Sequence, residues 1–513
     1  MPVIKRALVC LLILCCGTIV SADSTSHPTS HPVFKLNSLG PTQSFDPFEH
    51  DAFNSMVIFK NVNPRLISLG QKGPPKGILA SHWDVSRDRL TWKFTIREGI
   101  KFSDGQNLNS EVVAKNLKRI VWLSRKDNLA LNESFGNLDH WKSLDGPFKG
   151  ITWNDTQVIL SFEKEPSDLF EILEQVIFGV IPLTNFDQDT GKFKGGKPPS
   201  AGAYQIVKSD EKGLELKKNI FWAFGGPSDV QVSWDSYDLT HLGETPIPYD
   251  LMILNGSNMT KHFVDASKKK TLRIITTPPF LMNFVQLQPT KGAFKDLKLR
   301  KDFRDIFSQK FFESKESEDL FFASNSFIPK GGVGFLEFPK PLKKKNYAKY
   351  SGKIKIVWWP PTLLPKANDF LLAQVLETVQ TLGLEASVVR CRNRAEMFDA
   401  VRRNDFDVIV RFTGLLVHNP FADLQMMFLS KLGALIPDVT GEIKTLLMQV
   451  KETEDQSLKL RLAKQINTQV YEDSSIITYS HSGFAFLFDP NKVDISKYNL
   501  SNDPFDLTSV ELQ

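Results

Sequence analysis

Cysteine is scarce in this 513-residue chain: there are four, and Cys10, Cys15 and Cys16 all fall close to the start. Cleavage after Ala22, argued below, leaves only Cys391, so no intramolecular disulfide is available and stability has to come from a large packed core. Charge of one sign is lacking too. Lys and Arg number 63 against 58 Asp and Glu, a formal net charge of +5, which is no electrostatic footprint for nucleic acid. The one long apolar run, Ala7 to Val20, is shorter than the roughly 20 residues a membrane-spanning helix needs. Hydrolase and nucleotide signatures are missing: H-E-x-x-H, G-x-S-x-G and G-x-x-x-x-G-K-[ST] do not occur. Beyond the leader, His50, His82, His140, His241, His262, His418 and His481 stand apart, without the spacing of zinc ligands. The expectation is no catalytic residue, no metal and no cofactor.

What is present begins with a secretion signal. Lys5 and Arg6 precede the apolar run, which ends in small residues at Ser21-Ala22, and this pattern predicts cleavage after Ala22. Residues 23–32, DSTSHPTSHP, read as a flexible leader. The remaining length predicts two or three domains.

Along the chain, Leu90, Trp92, Phe94 and Ile96 alternate with polar residues, the period of a strand with one buried face. A helix capped by Asn109 or Ser110 follows, with Val112, Val113, Leu117, Ile120 and Val121 on its apolar side. Hairpins are expected in 150–164, turning at Asn154-Asp155, and in 202–219, turning near Asp210 to Gly213. Residues 166–178 have helical periodicity between them. This first part reads as α+β. From Leu272 the pattern changes to α/β: strands at 353–359, 385–391 and 406–412 alternate with helices at 367–383 and 394–404, which predicts a largely parallel sheet. Ligands of such sheets bind beyond the carboxyl ends of the strands, here after Phe412.

The stretch from Ile78 to Ile120, with Trp83, Phe94, Arg97, Gly99, Phe102, Asp104, Gly105 and Val112 in register, resembles the signature of the periplasmic solute-binding proteins of family 5. These are the dipeptide-, oligopeptide- and nickel-binding components of ABC transporters. Four further segments resemble family motifs in the right order: SFDPFEHD (Ser44 to Asp51), PPSAGAYQIVK (Pro198 to Lys208), NIFWAFGGPS (Asn219 to Ser228) and GAFKDLKLRKDFRDIF (Gly292 to Phe307). The resemblance implies a two-lobed binding-protein fold, type II-like, with an extra subdomain and a two-strand hinge. The expected limits are a larger lobe over 33–271 with its subdomain at about 50–190, a second α/β lobe over 272–475, and a return to the larger lobe over 476–513.

The function so implied is capture of a small solute, a peptide or peptide-like compound, in the periplasm. A monomer would deliver it to an inner-membrane ABC permease. In the family's peptide binders a Trp-x-x-Asp phrase supplies an aspartate for the ligand's ammonium; here Phe412 falls on the tryptophan and Leu415 on the aspartate. Either Asp423 takes over, or the ligand is not a free-amino peptide. The candidate ligand-binding residues are Arg411, Phe412, Thr413, Gly414 and Leu415, with Phe45 and Gln288. Two other readings stand beside this one: a secreted hydrolase built on converging carboxylates, and an interaction or sensor protein that keeps the fold without transport.

Overall fold

The computed structural model describes residues 33–37, 44–49, 56–69, 74–125, 130–166, 169–222, 224, 229–234, 247–255, 272–277, 279, 281–316, 323–339, 346–358, 365–392, 394–414, 420–429, 436–438, 440–453, 455–496 and 506–512. The signal, the leader and Leu415 lie outside them.

Strand β1 (Phe34–Asn37) opens the described chain, and helix Met56–Val62 follows. After a short ribbon of β2 (Ile67–Ser68) and β3 (Lys76–Gly77), four strands make an antiparallel sheet ordered β4-β5-β7-β6: β4 (Ala80–Val85), β5 (Thr91–Ile96), β6 (Ile151–Trp153) and β7 (Gln157–Ser161). The alternation in β5 buries Trp92, Phe94 and Ile96. Helix Ser110–Leu123 lies in the same core through Val113, Leu117, Ile120 and Val121. Each such side chain contributes about 1.5–3 kcal/mol on burial. The Val112 amide donates to Asn109 Oδ1 at 3.0 Å and fixes where the helix begins. Asn154 Oδ1 accepts the amides of Thr156 and Gln157 and closes the expected hairpin.

The continuous helix expected over 166–178 is instead a short helix, Leu169–Leu173, and a separate 3-10 turn, Val176–Phe178. Glu174 sits at the break and accepts the Leu69 amide at 2.8 Å, a tertiary contact that overrides local periodicity.

Seven strands form the largest sheet. β8 (Tyr204–Ser209), β9 (Gly213–Lys218), β10 (Val230–Ser233), β11 (Leu251–Asn255) and β12 (Arg273–Thr276) join β1 and the late β18 (Phe484–Phe488) in the order β12-β18-β11-β1-β10-β9-β8. β1 is parallel to β10 and β11, and the other pairings are antiparallel.

The next sheet has five strands: β13 (Leu281–Leu287), β14 (Lys353–Trp358), β15 (Glu385–Arg390), β16 (Val408–Gly414) and β17 (Ile476–Ser482), ordered β15-β14-β16-β13-β17. The parallel expectation holds for β14 with β15 and β16, whereas β13 runs against both of its neighbours. Its direction is imposed by connectivity, because it enters from the seven-stranded sheet at the edge where β14, β16 and β17 end. Helices Leu297–Glu313 and Pro365–Leu382 cover one face; Phe421–Leu429, Glu442–Glu452 and Gln456–Asp473 cover the other. A closing ribbon of β19 (Val493–Asp494) and β20 (Glu511–Leu512) packs back on the core of the seven-stranded sheet.

Several of the sequence segments picked out above are structural joints. Gly202 lies where an added Cβ would stand 2.5 Å from the Asn61 carbonyl oxygen, and Asn219 Nδ2 donates to Ser200 O and Gly202 O across the same turn. Asp296 caps helix Leu297–Glu313 by accepting the Lys298 amide at 2.8 Å. Buried Arg300 reaches from that helix to the carboxylate and carbonyl of Asp473, both at 2.9 Å. Among the described residues no helix is long and apolar enough to cross a membrane.

Candidate functional site

The chain passes from the seven-stranded to the five-stranded sheet between Thr276 and Leu281 and returns between Ser482 and Phe484. Thr277 joins the two passages: its amide donates to Phe484 O at 2.9 Å, and the Phe484 amide donates to Thr277 Oγ1 at 2.8 Å. Because β14 and β16 are parallel and β13 is antiparallel to β16 and β17, the ends of β14, β16 and β17 and the start of β13 share one edge of the five-stranded sheet. That edge feeds both crossings. It is also the edge at which an α/β sheet presents its ligand.

Opposed residues in an antiparallel ladder point to the same face. The last row at this edge is Gly414–Leu281–Ser482, and the row behind it is Phe412–Asn283–Ser480. These rows share a face. Asn283 Nδ2 donates to Ser482 Oγ at 3.3 Å. Ser480 is 1% exposed, and its Oγ has no hydrogen-bond partner among the described residues. At Gly414 an added Cβ would meet nothing within 4 Å among the described residues, whereas its row partners Leu281 and Ser482 are buried.

The opposite face carries Met282, Thr413 and His481 in one row, with Arg411 and Phe284 behind. Both ring nitrogens of His481 are buried without a hydrogen-bond partner among the described residues. Burial pushes its pKa down to about 4, with the Phe327 backbone pulling weakly the other way. Neutral imidazole is therefore the form present at pH 7. Arg411 is nearly as enclosed. Its Nη1 donates to Gln286 Oε1 at 2.8 Å, its guanidinium stands 5.9 Å from the Phe284 ring centre, and burial pushes its pKa down to about 10.

Phe412, Thr413 and Gly414, half-buried, thus sit together at the crossing edge. Arg411 lies beside them but turns into the lobe. Leu415 and the side chain of Asp423 lie outside the described residues. Gln288 is not brought to this group: it follows the far end of β13, fully buried, where Nε2 donates to Asn404 Oδ1 at 3.1 Å and Oε1 accepts from Thr290 Oγ1 at 2.8 Å. Phe45 packs against the core of the seven-stranded sheet. Its neighbour Asp46 accepts two hydrogen bonds from Arg119, at 2.5 and 3.0 Å, and so ties this segment to the four-stranded sheet.

Asn283, Ser480, His481 and Ser482 were not among the sequence candidates. A signal for three of them exists in the run Ser480-His481-Ser482, three polar residues closing a strand that is buried throughout. Among the described residues no group of three or more His, Cys, Asp or Glu is arranged to hold a metal ion.

Two sheets joined by paired strands, with an open polar edge at the joint, define the class of a two-lobed binding protein. Residues 74–349, more than half of the chain, match the family described as bacterial extracellular solute-binding proteins, family 5 Middle, and the chain belongs to that family. Solved structures of the same fold span nearly all of it. The Escherichia coli murein tripeptide binding protein MppA covers 94% of this chain and 99% of its own, at 14% identity and a TM-score of 0.76. Haemophilus influenzae OppA, in complex with RPPGFSPFR, covers the same shares at 13% identity and a TM-score of 0.74. The glutathione-binding protein GsiB of Salmonella typhi is 25% identical over 272 residues, which is 50% of this chain and 48% of GsiB. The chain therefore spans about half the length of the curated relatives it matches.

Proposed function

We propose that the protein captures a small solute, a peptide or peptide-like compound, between its two lobes and hands it to the permease of an ABC transporter. The observation that carries this reading is the convergence of both crossings on one polar, partly open sheet edge. A solute held there touches both lobes when they approach and favours the closed arrangement by its differential affinity. No catalytic group is needed for this task. The names of the relatives support the solute class, since they bind glutathione, a murein tripeptide and a longer peptide.

The lobes in this proposal divide at the crossings themselves. β12 pairs within the first sheet and β17 within the second, which favours limits near 277–280 and at Gly483 over the sequence limits of 271/272 and 475/476. The basic and apolar start followed by Ser21-Ala22 supports export with removal of residues 1–22 and a place of action outside the inner membrane; a monomer is part of the proposal.

Solution scattering and thermal melting of ligand-stripped protein test the reading. A pool of short peptides with glutathione is expected to lower the radius of gyration and raise the Tm by several degrees through linkage. No change in either quantity with any member of the pool would overturn it.

A further inference from the structure

We propose that the end of the seven-stranded sheet remote from the crossings is a docking surface for an anionic lipid bilayer. β11 runs from Leu251, opposite Phe488, to Asn255, opposite Phe484 at the crossing. β1 is parallel to β11 and to β10, and both β1 and β10 begin at the far end, where Leu36 pairs with Leu251 and Phe34 with Val230. β9 runs against β10 and ends there. Val33, the turn after β9, Pro248 and Lys492 therefore gather at one end of the sheet. The strands from β18 to β9 that carry them span about 19 Å at a spacing of about 4.8 Å.

The three most exposed large hydrophobic side chains among the described residues all stand at this end: Ile220 at 83%, Phe224 at 50% and Val33 at 46%. Phe221 is beside them. Singly exposed apolar residues are ordinary, but a cluster marks a surface that meets something apolar. The turn that presents it is fixed from below. Buried Asn219 accepts the Phe221 amide at 3.1 Å, and Trp222, packed on the core of the sheet, meets Phe224 edge-on at 5.0 Å between ring centres.

Cations flank the apolar residues. The Lys101 ammonium stands 5.7 Å from the Phe221 ring centre, and the Arg97 guanidinium 5.3 Å from that of Phe224. Exposed Lys35 and Lys492 line a cleft of about 440 Å³ together with Pro248, Tyr249 and Asp250. The Asp250 and Asp229 carboxylates accept the Lys35 and Lys218 amides, at 2.7 and 3.0 Å, and so fasten strand ends to one another. Glu98 is exposed beside Arg97. Apolar side chains set among long cationic ones, whose stems lie on rings while their heads reach phosphate oxygens, are the chemistry of a bilayer interface.

The chain itself favours a bilayer over other occupants. Val33 follows residues 23–32, and these follow the apolar run that the export reading places in the membrane. Such a leader, fully extended, reaches at most about 35 Å. Export therefore leaves this end of the folded chain nearest the lipid.

The test uses the chain from Asp23 onward, stripped of solute, in sedimentation with two kinds of vesicle: phosphatidylethanolamine with phosphatidylglycerol, and phosphatidylcholine alone. No solute is needed, so failure here leaves the solute-binding reading standing. At low salt the protein is expected to bind the anionic vesicles roughly fivefold or more tightly than the neutral ones, and to be partly released at high salt. Absence of binding to the anionic vesicles, or equal binding to both kinds, overturns the inference. If the protein stays in solution as a dimer that Ile220→Glu dissociates, the face belongs to a second copy and the inference falls.

Variants locate the contact. Ile220→Glu is expected to weaken vesicle binding roughly tenfold at an unaltered melting temperature, and Lys35→Glu with Lys492→Glu to weaken it by a similar factor. Leu460→Glu, at an exposed position of helix Gln456–Asp473, is expected to leave it unchanged. Undiminished binding in both of the first two variants places the contact elsewhere and overturns the inference.

Discussion

Thr277 and Phe484 clasp each other across the two passages between the sheets, each residue's amide donating to an oxygen of the other, at 2.9 and 2.8 Å. Both residues are buried. The strands that connect the lobes are therefore fastened to one another at the edge of the seven-stranded sheet, and they pair again at Leu281 and Ser482 in the five-stranded one.

Thr277→Val keeps the shape and the backbone bond but leaves the Phe484 amide without its side-chain acceptor. Leaving a buried donor unmet costs about 1–3 kcal/mol. The expected result is a lower Tm together with a broader spread of lobe arrangements, seen as a larger radius of gyration for the unliganded protein. Thr277→Ser, which keeps the oxygen, should restore most of both.

A second clamp joins Asp46 to Arg119. Both side chains are almost fully buried, and the Arg119 Nε also donates to Gly191 O at 2.6 Å. Asp46→Asn would leave an enclosed guanidinium without its counter-charge, a loss of about 3–5 kcal/mol. Denaturant unfolding followed by tryptophan fluorescence should show it. The pair Asp46→Leu with Arg119→Met removes both charges and is expected to recover much of the loss.

Arg411 separates structure from recognition. Its engagement by Gln286 inside the lobe predicts that Arg411→Met lowers stability, while the affinity of the folded protein for its solute, measured by calorimetry below the melting range, stays within about twofold because no direct contact is lost. A loss of affinity well beyond that would return Arg411 to the ligand surface.

These residues also show how far the sequence could be followed. The β5 strand, the helix that begins after Asn109 and the turns at Asn154 and Asp210 are local, because the alternation and the caps that create them lie within a few residues. The site is not local. Asn283 and Ser482 meet across 199 residues of chain, and they meet only because β13 runs against β16 and β17. Strand direction also decided the fate of Gln288: it follows Asn283 closely in sequence, yet the strand carries it to the opposite end of the sheet. Phe412, Thr413 and Gly414 could be picked out from sequence as candidates because they close a strand, and the carboxyl ends of such strands are where α/β sheets present ligands.

His481 gives the crossing strand a dependence on pH whose direction follows from its burial. The imidazole is held neutral, with a pKa near 4 against an ordinary value of 6.5. At neutral pH neither the folded nor the unfolded chain carries a proton there, and this residue's contribution to stability is complete. As the pH falls below 6.5 the unfolded chain takes up the proton and the folded chain does not, so stability declines at up to about 1.4 kcal/mol per pH unit. The decline ends near pH 4, where the folded form is protonated as well, after a total of roughly 3 kcal/mol. His481→Gln keeps a neutral polar side chain without the titration. Unfolding free energies measured for both proteins between pH 4 and 7 should diverge steadily toward the acid end, the native protein losing more. Parallel curves would mean that His481 is already solvated or paired in the folded protein.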